Sequence, residues 1–116
     1  MFGLPNKTGK LISREIMKKL DEYFREKVGG FVISVETDTP YITFKIEFVM
    51  YKYFNVVLNY DRGSFGCSII NGSKFVQLDN SQKWYDEADI NLFFKELEQQ
   101  IELRIPDKFL KYHGWK

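Results

Sequence analysis

Cysteine occurs once in this sequence and histidine once. The lone Cys67 can form no intrachain disulfide, and it cannot build a cysteine-based zinc site. Nucleophilic triads need a positioned imidazole, and His113, close to the C-terminal end, is poorly sited to supply one. Its expected role is to help stop the last helix. Cys67 stands mid-strand in an apolar context with nothing electropositive beside it, so core packing is expected rather than reactivity. Long apolar runs are lacking too. The longest, Phe48-Val49-Met50-Tyr51, is far too short to span a bilayer. The opening residues Met1-Phe2-Gly3-Leu4-Pro5-Asn6-Lys7 show no basic segment leading into an apolar one, so no signal peptide is read. The expected location is cytoplasmic, where a thiol stays reduced. P-loop, GxGxxG and HExxH patterns are missing. Neither sign of charge is in excess: 17 Lys+Arg face 16 Asp+Glu, which argues against a dedicated nucleic-acid binder.

Apolar residues are plentiful, at 44%, with aromatics at 17%, and this excludes disorder and low complexity. No linker, repeat or biased tract divides the chain, so residues 1–116 read as one domain. A chain of this length buries a core without staples.

Hydrophobic spacing predicts a helix over residues 10–28. Ile12, Ile16, Leu20 and Phe24 recur at four-residue steps, and charged residues fill the other side. Gly29-Gly30 is expected to end it. The period then changes to two. Ile42, Phe44, Ile46, Phe48 and Met50 alternate with Thr43, Lys45 and Glu47, as in a half-buried antiparallel strand. Phe54, Val56, Leu58 and Tyr60 keep the same even phase. A three-residue loop at 51–53 preserves that phase and a two-residue loop breaks it, so a hairpin with residue 50 opposite 54 is expected. Asp61-Arg62-Gly63-Ser64 is a turn. Asn71-Gly72 is expected at the centre of the next hairpin, with residues 75–78 returning. A second long helix starts near Asp86 or Asp89, with Ile90, Phe93, Phe94, Leu97 and Ile101 as its stripe. Pro106 ends it or opens a short last helix, and His113-Gly114 stops that one. The expected fold is α+β: an antiparallel meander of about five strands, with the N- and C-terminal helices packed on one face.

Catalytic or metal-binding constellations are hard to find. Asp86, Glu87 and Asp89 cluster before a helix, a pattern that serves the helix dipole more often than a metal. No metal and no cofactor are expected. The run Arg62-Gly63-Ser64-Phe65-Gly66-Cys67 is a poor match to an RNA-recognition strand motif, with one residue out of place. What stands out is aromatic residues beside charge, the composition of protein interfaces. Trp84 and Tyr85 precede the second helix together with Asp86, Glu87 and Asp89. These five residues, with Asp61 and Arg62 as neighbours, are the expected partner-binding site. The odd sheet face, with Tyr41, Lys45, Tyr51 and Tyr53, competes with it.

Three segments carry a family likeness: residues 59–66 (Asn59-Tyr60-Asp61-Arg62-Gly63-Ser64-Phe65-Gly66), residues 80–89 with Trp84-Tyr85-Asp86-Glu87 at their centre, and residues 104–110 (Arg104-Ile105-Pro106-Asp107-Lys108-Phe109-Leu110). In these the C-terminal half resembles small immunity proteins of bacterial polymorphic and contact-dependent toxin systems. The resemblance implies a non-enzymatic cytoplasmic protein. It implies a monomer that binds the C-terminal domain of a cognate toxin, often a nuclease, as a heterodimer, with no direct nucleic-acid or membrane contact. A generic protein-binding adaptor or regulator is the alternative, and a nucleic-acid-binding domain comes after it.

Overall fold

The computed structural model describes residues 8–78, 83–85 and 89–116. Helix α1 (Gly9–Phe24) opens on Thr8, whose Oγ1 accepts the Leu11 N–H at 3.2 Å and so satisfies one of the helix's free donors. Its stripe Ile12, Ile16, Leu20 and Phe24 is buried as expected. The helix ends earlier than expected. Arg25 takes a positive φ of 52°, and its N–H bonds the Asp21 carbonyl. A single 3-10 turn, Arg25–Lys27, then leads directly into β1 (Val28–Thr37). Gly29 and Gly30 therefore lie in β1 rather than at the helix stop. Gly30, at φ +65°, sits where the pairing shifts between Gly29 and Val32. Turning the chain at Arg25 lets Val28 and Phe31 pack on the core.

Strands β2 (Thr43–Met50), β3 (Phe54–Asp61), β4 (Ser64–Asn71) and β5 (Lys74–Gln77) follow. They form the antiparallel meander β1-β2-β3-β4-β5. The short β6 (Lys83–Trp84) pairs with Ser64 and Phe65 of β4, past the end of β5. Met50 stands opposite Phe54, so the three-residue loop and the even phase both hold. Tyr51 and Lys52 in that loop carry positive φ, 58° and 53°. A left-handed residue with a Cβ is strained and a glycine is not. Lys52 is exposed, so Lys52→Gly is expected to raise stability by about 1 kcal/mol, read as a higher urea midpoint.

The turn after β3 is as expected: Asp61 pairs with Ser64, and Arg62 and Gly63 both take positive φ. The next turn is moved by one residue. Asn71 pairs with Lys74, so the loop is Gly72-Ser73, and of those two only Gly72 has positive φ. Cross-strand pairing of apolar side chains, Ile70 with Phe75 and Ile69 with Val76, accounts for the shift. Ile69 now faces Val76, whereas a turn centred on Asn71-Gly72 would have set Lys74 against Ile69.

Helix α2 (Ile90–Glu102) is capped by Asp89, and the short α3 (Asp107–Tyr112) begins after Pro106. His113 and Gly114 close α3 as expected, with Gly114 at φ +74°. The helices pack against the sheet face made by the even residues of β2 and β3 and, in β4, by the odd residues Phe65, Cys67 and Ile69 that pair with them. Phe93 meets Phe65 at 4.6 Å between ring centres, and Phe94 meets Phe24 at 5.8 Å. Residues of all three helices and of the central strands share one hydrophobic cluster. None of the described helices is long and apolar enough to cross a membrane.

Candidate functional site

Three connections meet at one end of the sheet. The Arg62 N–H donates to the Ile42 carbonyl at 3.0 Å, which ties the β3–β4 turn to the loop before β2. The Tyr85 N–H donates to the Gly63 carbonyl at 2.7 Å, which ties the segment after β6 to the same turn. Thr37 Oγ1 donates to the Tyr41 carbonyl at 2.7 Å. Since its one proton is used there, Thr43 Oγ1 donates to Thr37 Oγ1, also at 2.7 Å. Main-chain and threonine hydroxyl bonds thus hold this rim on a rigid base. Binding residues favour such connections.

Arg62 Nε donates to Asp61 Oδ1 at 2.8 Å, and its guanidinium lies 5.3 Å from the Tyr41 ring centre. The Asp61 hydrogen bond raises the guanidinium pKa further above neutrality. Tyr41 is 56% exposed, and Asp61 and Arg62 are exposed beside it. An exposed ion pair of this kind adds little to stability. It does set a cation, an anion and an aromatic face side by side.

The remaining expected site residues divide. Tyr85 is half-buried. Its hydroxyl donates to Glu15 Oε1 at 2.8 Å, and its ring meets Phe65 edge-on at 5.7 Å. Burial first, and then the Glu15 bond, push its phenol pKa up. Tyr85 is therefore a strut between α1 and the sheet end, with only part of its ring at the surface. Asp89 is exposed and already at work: its Oδ1 accepts the Asn91 and Leu92 N–H groups at 3.1 and 3.2 Å. Trp84 stands opposite Ser64 in the β4–β6 pair. Asp86 and Glu87 lie outside the described residues.

The competing face does not hold together as one surface. Lys45 is exposed on the odd sheet face, but Val57 on that face is buried, and Tyr41 belongs to the rim. Tyr51 is 0% exposed at the opposite end, and its hydroxyl donates to Glu102 Oε2 at 2.6 Å. Tyr53 lies near it, edge-on to Phe54 and Phe109. Spacing alone put Tyr41 and Tyr51 on a strand face, but both stand in connections, where alternation no longer dictates direction. The run Thr37-Asp38-Thr39-Pro40 is rich in turn formers, and it is the local sign that Tyr41 stands in a connection.

Cys67 is fully buried, and burial pushes its thiol pKa up, away from the reactive thiolate. His113 stacks on Trp115 at 4.7 Å and packs on Phe109 at 4.6 Å. Among the described residues, no three His, Cys, Asp or Glu side chains are grouped to hold a metal ion. Compared with family models, curated proteins and solved structures, the chain finds no match.

Proposed function

We propose that this protein is an immunity protein that binds and neutralises a cognate toxin domain, a nuclease, in the cytoplasm. The observation that supports this reading best is the rim of Tyr41, Asp61 and Arg62, braced by Tyr85. Tyrosine and arginine lead among residues that dominate protein interfaces, because they bring area, a planar donor fork and little loss of freedom. The Asp61 carboxylate, with Asp86, Glu87 and Asp89 following in sequence, suits the cationic channel of a nuclease. Complementary charge also speeds the encounter. The protein acts by occupying the toxin, as a monomer within a heterodimer, without cofactor or metal. A generic adaptor with another protein partner is the alternative.

Co-expression with the product of the adjacent toxin gene tests this, scored by rescue of growth and co-purification. The paired variant Tyr41→Ala, Arg62→Ala is expected to weaken binding at least tenfold at an unchanged urea midpoint. That loss corresponds to the 1.4 kcal/mol or more typical of interface anchors. Asp86→Lys with Glu87→Lys is expected to weaken it further. Retained rescue by all of these variants places the interface elsewhere. Failure of the wild-type protein to rescue or co-purify favours the adaptor. Lys45→Ala probes the competing face cleanly, whereas the buried Tyr51 and the packed Tyr53 do not.

A further inference from the structure

The opposite end of β3 and β4 carries a second feature, separated from the rim by the eight residues of β3, roughly 25 Å. A groove of about 390 Å³ opens there, lined by Tyr53, Phe54, Ile69 and Val76 together with the polar Asn55 and Asn71, with Arg104 at its side. Tyr53 is held in place by edge-on contacts to Phe54 and Phe109, at 4.7 and 5.0 Å. Arg104 is fixed by Nη1 donating to the Gln100 carbonyl at 2.7 Å and to Gln100 Oε1 at 3.0 Å. No carboxylate pairs with it among the described residues. A preformed slot, part apolar and part amide-lined, therefore has an anchored guanidinium with no carboxylate partner among the described residues.

The slot lies beside an unpaired strand edge. β5 is the last strand of the meander, no described strand pairs with its outer side, and all its residues are exposed. The Leu78 N–H donates to the Cys67 carbonyl at 3.2 Å, so Leu78 turns its main-chain groups toward β4. Alternation then turns those of Val76 and Lys74 the same way and leaves those of Phe75 and Gln77 pointing outward. The β4–β5 ladder is regular from Ser68–Gln77 to Asn71–Lys74. The other edge, β1, is broken by pairing irregularities at Gly29/Val32 and Val35/Thr37, the kind of feature that discourages strand addition.

The geometry points to β5 and this groove as a docking site for an extended segment of a partner protein. The segment adds as a strand to β5, seats a bulky apolar side chain in the groove and sets a carboxylate on Arg104. Strand addition supplies main-chain hydrogen bonds, and pockets for alternate side chains supply specificity. Residues opposite each other in a ladder share a face, so the added residue beside Val76 overhangs the groove. Side chains two apart also share a face, so apolar residue and carboxylate stand two positions apart. β5 is short, so backbone pairing alone is weak, and the groove and the charge make up the difference. This surface is separate from the proposed toxin-binding rim and does not depend on it.

The test uses the full, isotope-labelled chain and the peptide acetyl-Thr-Glu-Thr-Phe-Thr-Glu-Thr-amide, which offers a carboxylate in either strand direction. Amide shifts in the NMR spectrum are expected at Phe75, Gln77, Ile69, Val76, Tyr53 and Arg104, and not at Tyr41 or Arg62. Replacing both peptide Glu residues by Gln is expected to weaken binding about tenfold, and Arg104→Gln to do the same, as for loss of a hydrogen bond to a charged group. Arg104 is exposed, so the variant keeps its fold, which an unchanged urea midpoint verifies. The proposal is overturned by no shifts at millimolar peptide, by shifts on β1 or the rim instead, or by equal binding of the Gln peptide. Concentration-dependent shifts of the β5 amides without peptide would assign the edge to a second copy of this chain and overturn it as well.

Discussion

Phe44→Ala is expected to cost about 3–5 kcal/mol, the range for truncating a buried aromatic. Phe44 is 1% exposed and stacks on Tyr60, its ladder partner, with ring centres 4.6 Å apart and planes at 8°. Truncation removes that stack and leaves a cavity between sheet and helices that rigid neighbours cannot fill. Domains are stable by only about 5–15 kcal/mol in total, so one ring is a large share. The measurement is urea unfolding: the midpoint falls while the slope stays constant, since the surface exposed on unfolding hardly changes. Lys45→Ala, one residue along and on the exposed face, is expected to stay within about 0.5 kcal/mol. Equal costs at the two positions would mean that the register of the β2–β3 hairpin is wrong.

Tyr51→Ala is expected to cost a similar amount, about 3–5 kcal/mol by analogy with other buried aromatics. Tyr51 lies in the β2–β3 loop, yet it is 0% exposed. Its N–H donates to the Lys27 carbonyl at 2.6 Å, its hydroxyl to Glu102, and its ring packs 5.5 Å from that of Trp115. Lys27 Nζ stands 5.5 Å from the ring centre, and it also pairs with Glu98 at 3.9 Å. One residue thus clamps the hairpin tip to the turn after α1, to α2 and to the C-terminal segment. Tyr51→Phe separates the terms. It keeps the ring and leaves the partly buried Glu102 without its donor, an expected loss of about 1–3 kcal/mol. If Phe and Ala cost the same, the hydroxyl rather than the packing carries the clamp. If neither moves the midpoint, the loop is not the clamp described here.

Several elements were legible in the residues because one local rule settled each. The even phase shared by Phe44 and Leu58 required an odd-length loop, and Met50 does stand opposite Phe54. Asp89 was one of two candidate caps, and it takes the role with two hydrogen bonds. The end of α1 and the β4–β5 turn were misplaced, because glycine is permitted in a positive-φ position without being required there. Arg25 and the Ile69–Val76 match decided those two places instead.

The candidate site was legible in composition and only partly in membership. Alternation within a strand tells which face a residue takes, since neighbouring side chains point opposite ways whatever the rest of the chain does. By itself, then, the sequence determined the even core face, the helical stripes and the meander of short connections. It could not determine where connection residues point. Tyr41, Tyr51 and Tyr85 look alike as aromatics near turns, yet one is exposed on the rim, one is buried, and one is a strut. Their fates rest on partners distant in sequence: Tyr51 reaches Glu102 across 51 positions and Tyr85 reaches Glu15 across 70. Such contacts exist only after the helices close over the sheet, so the tertiary structure alone decided which aromatics remain free to bind.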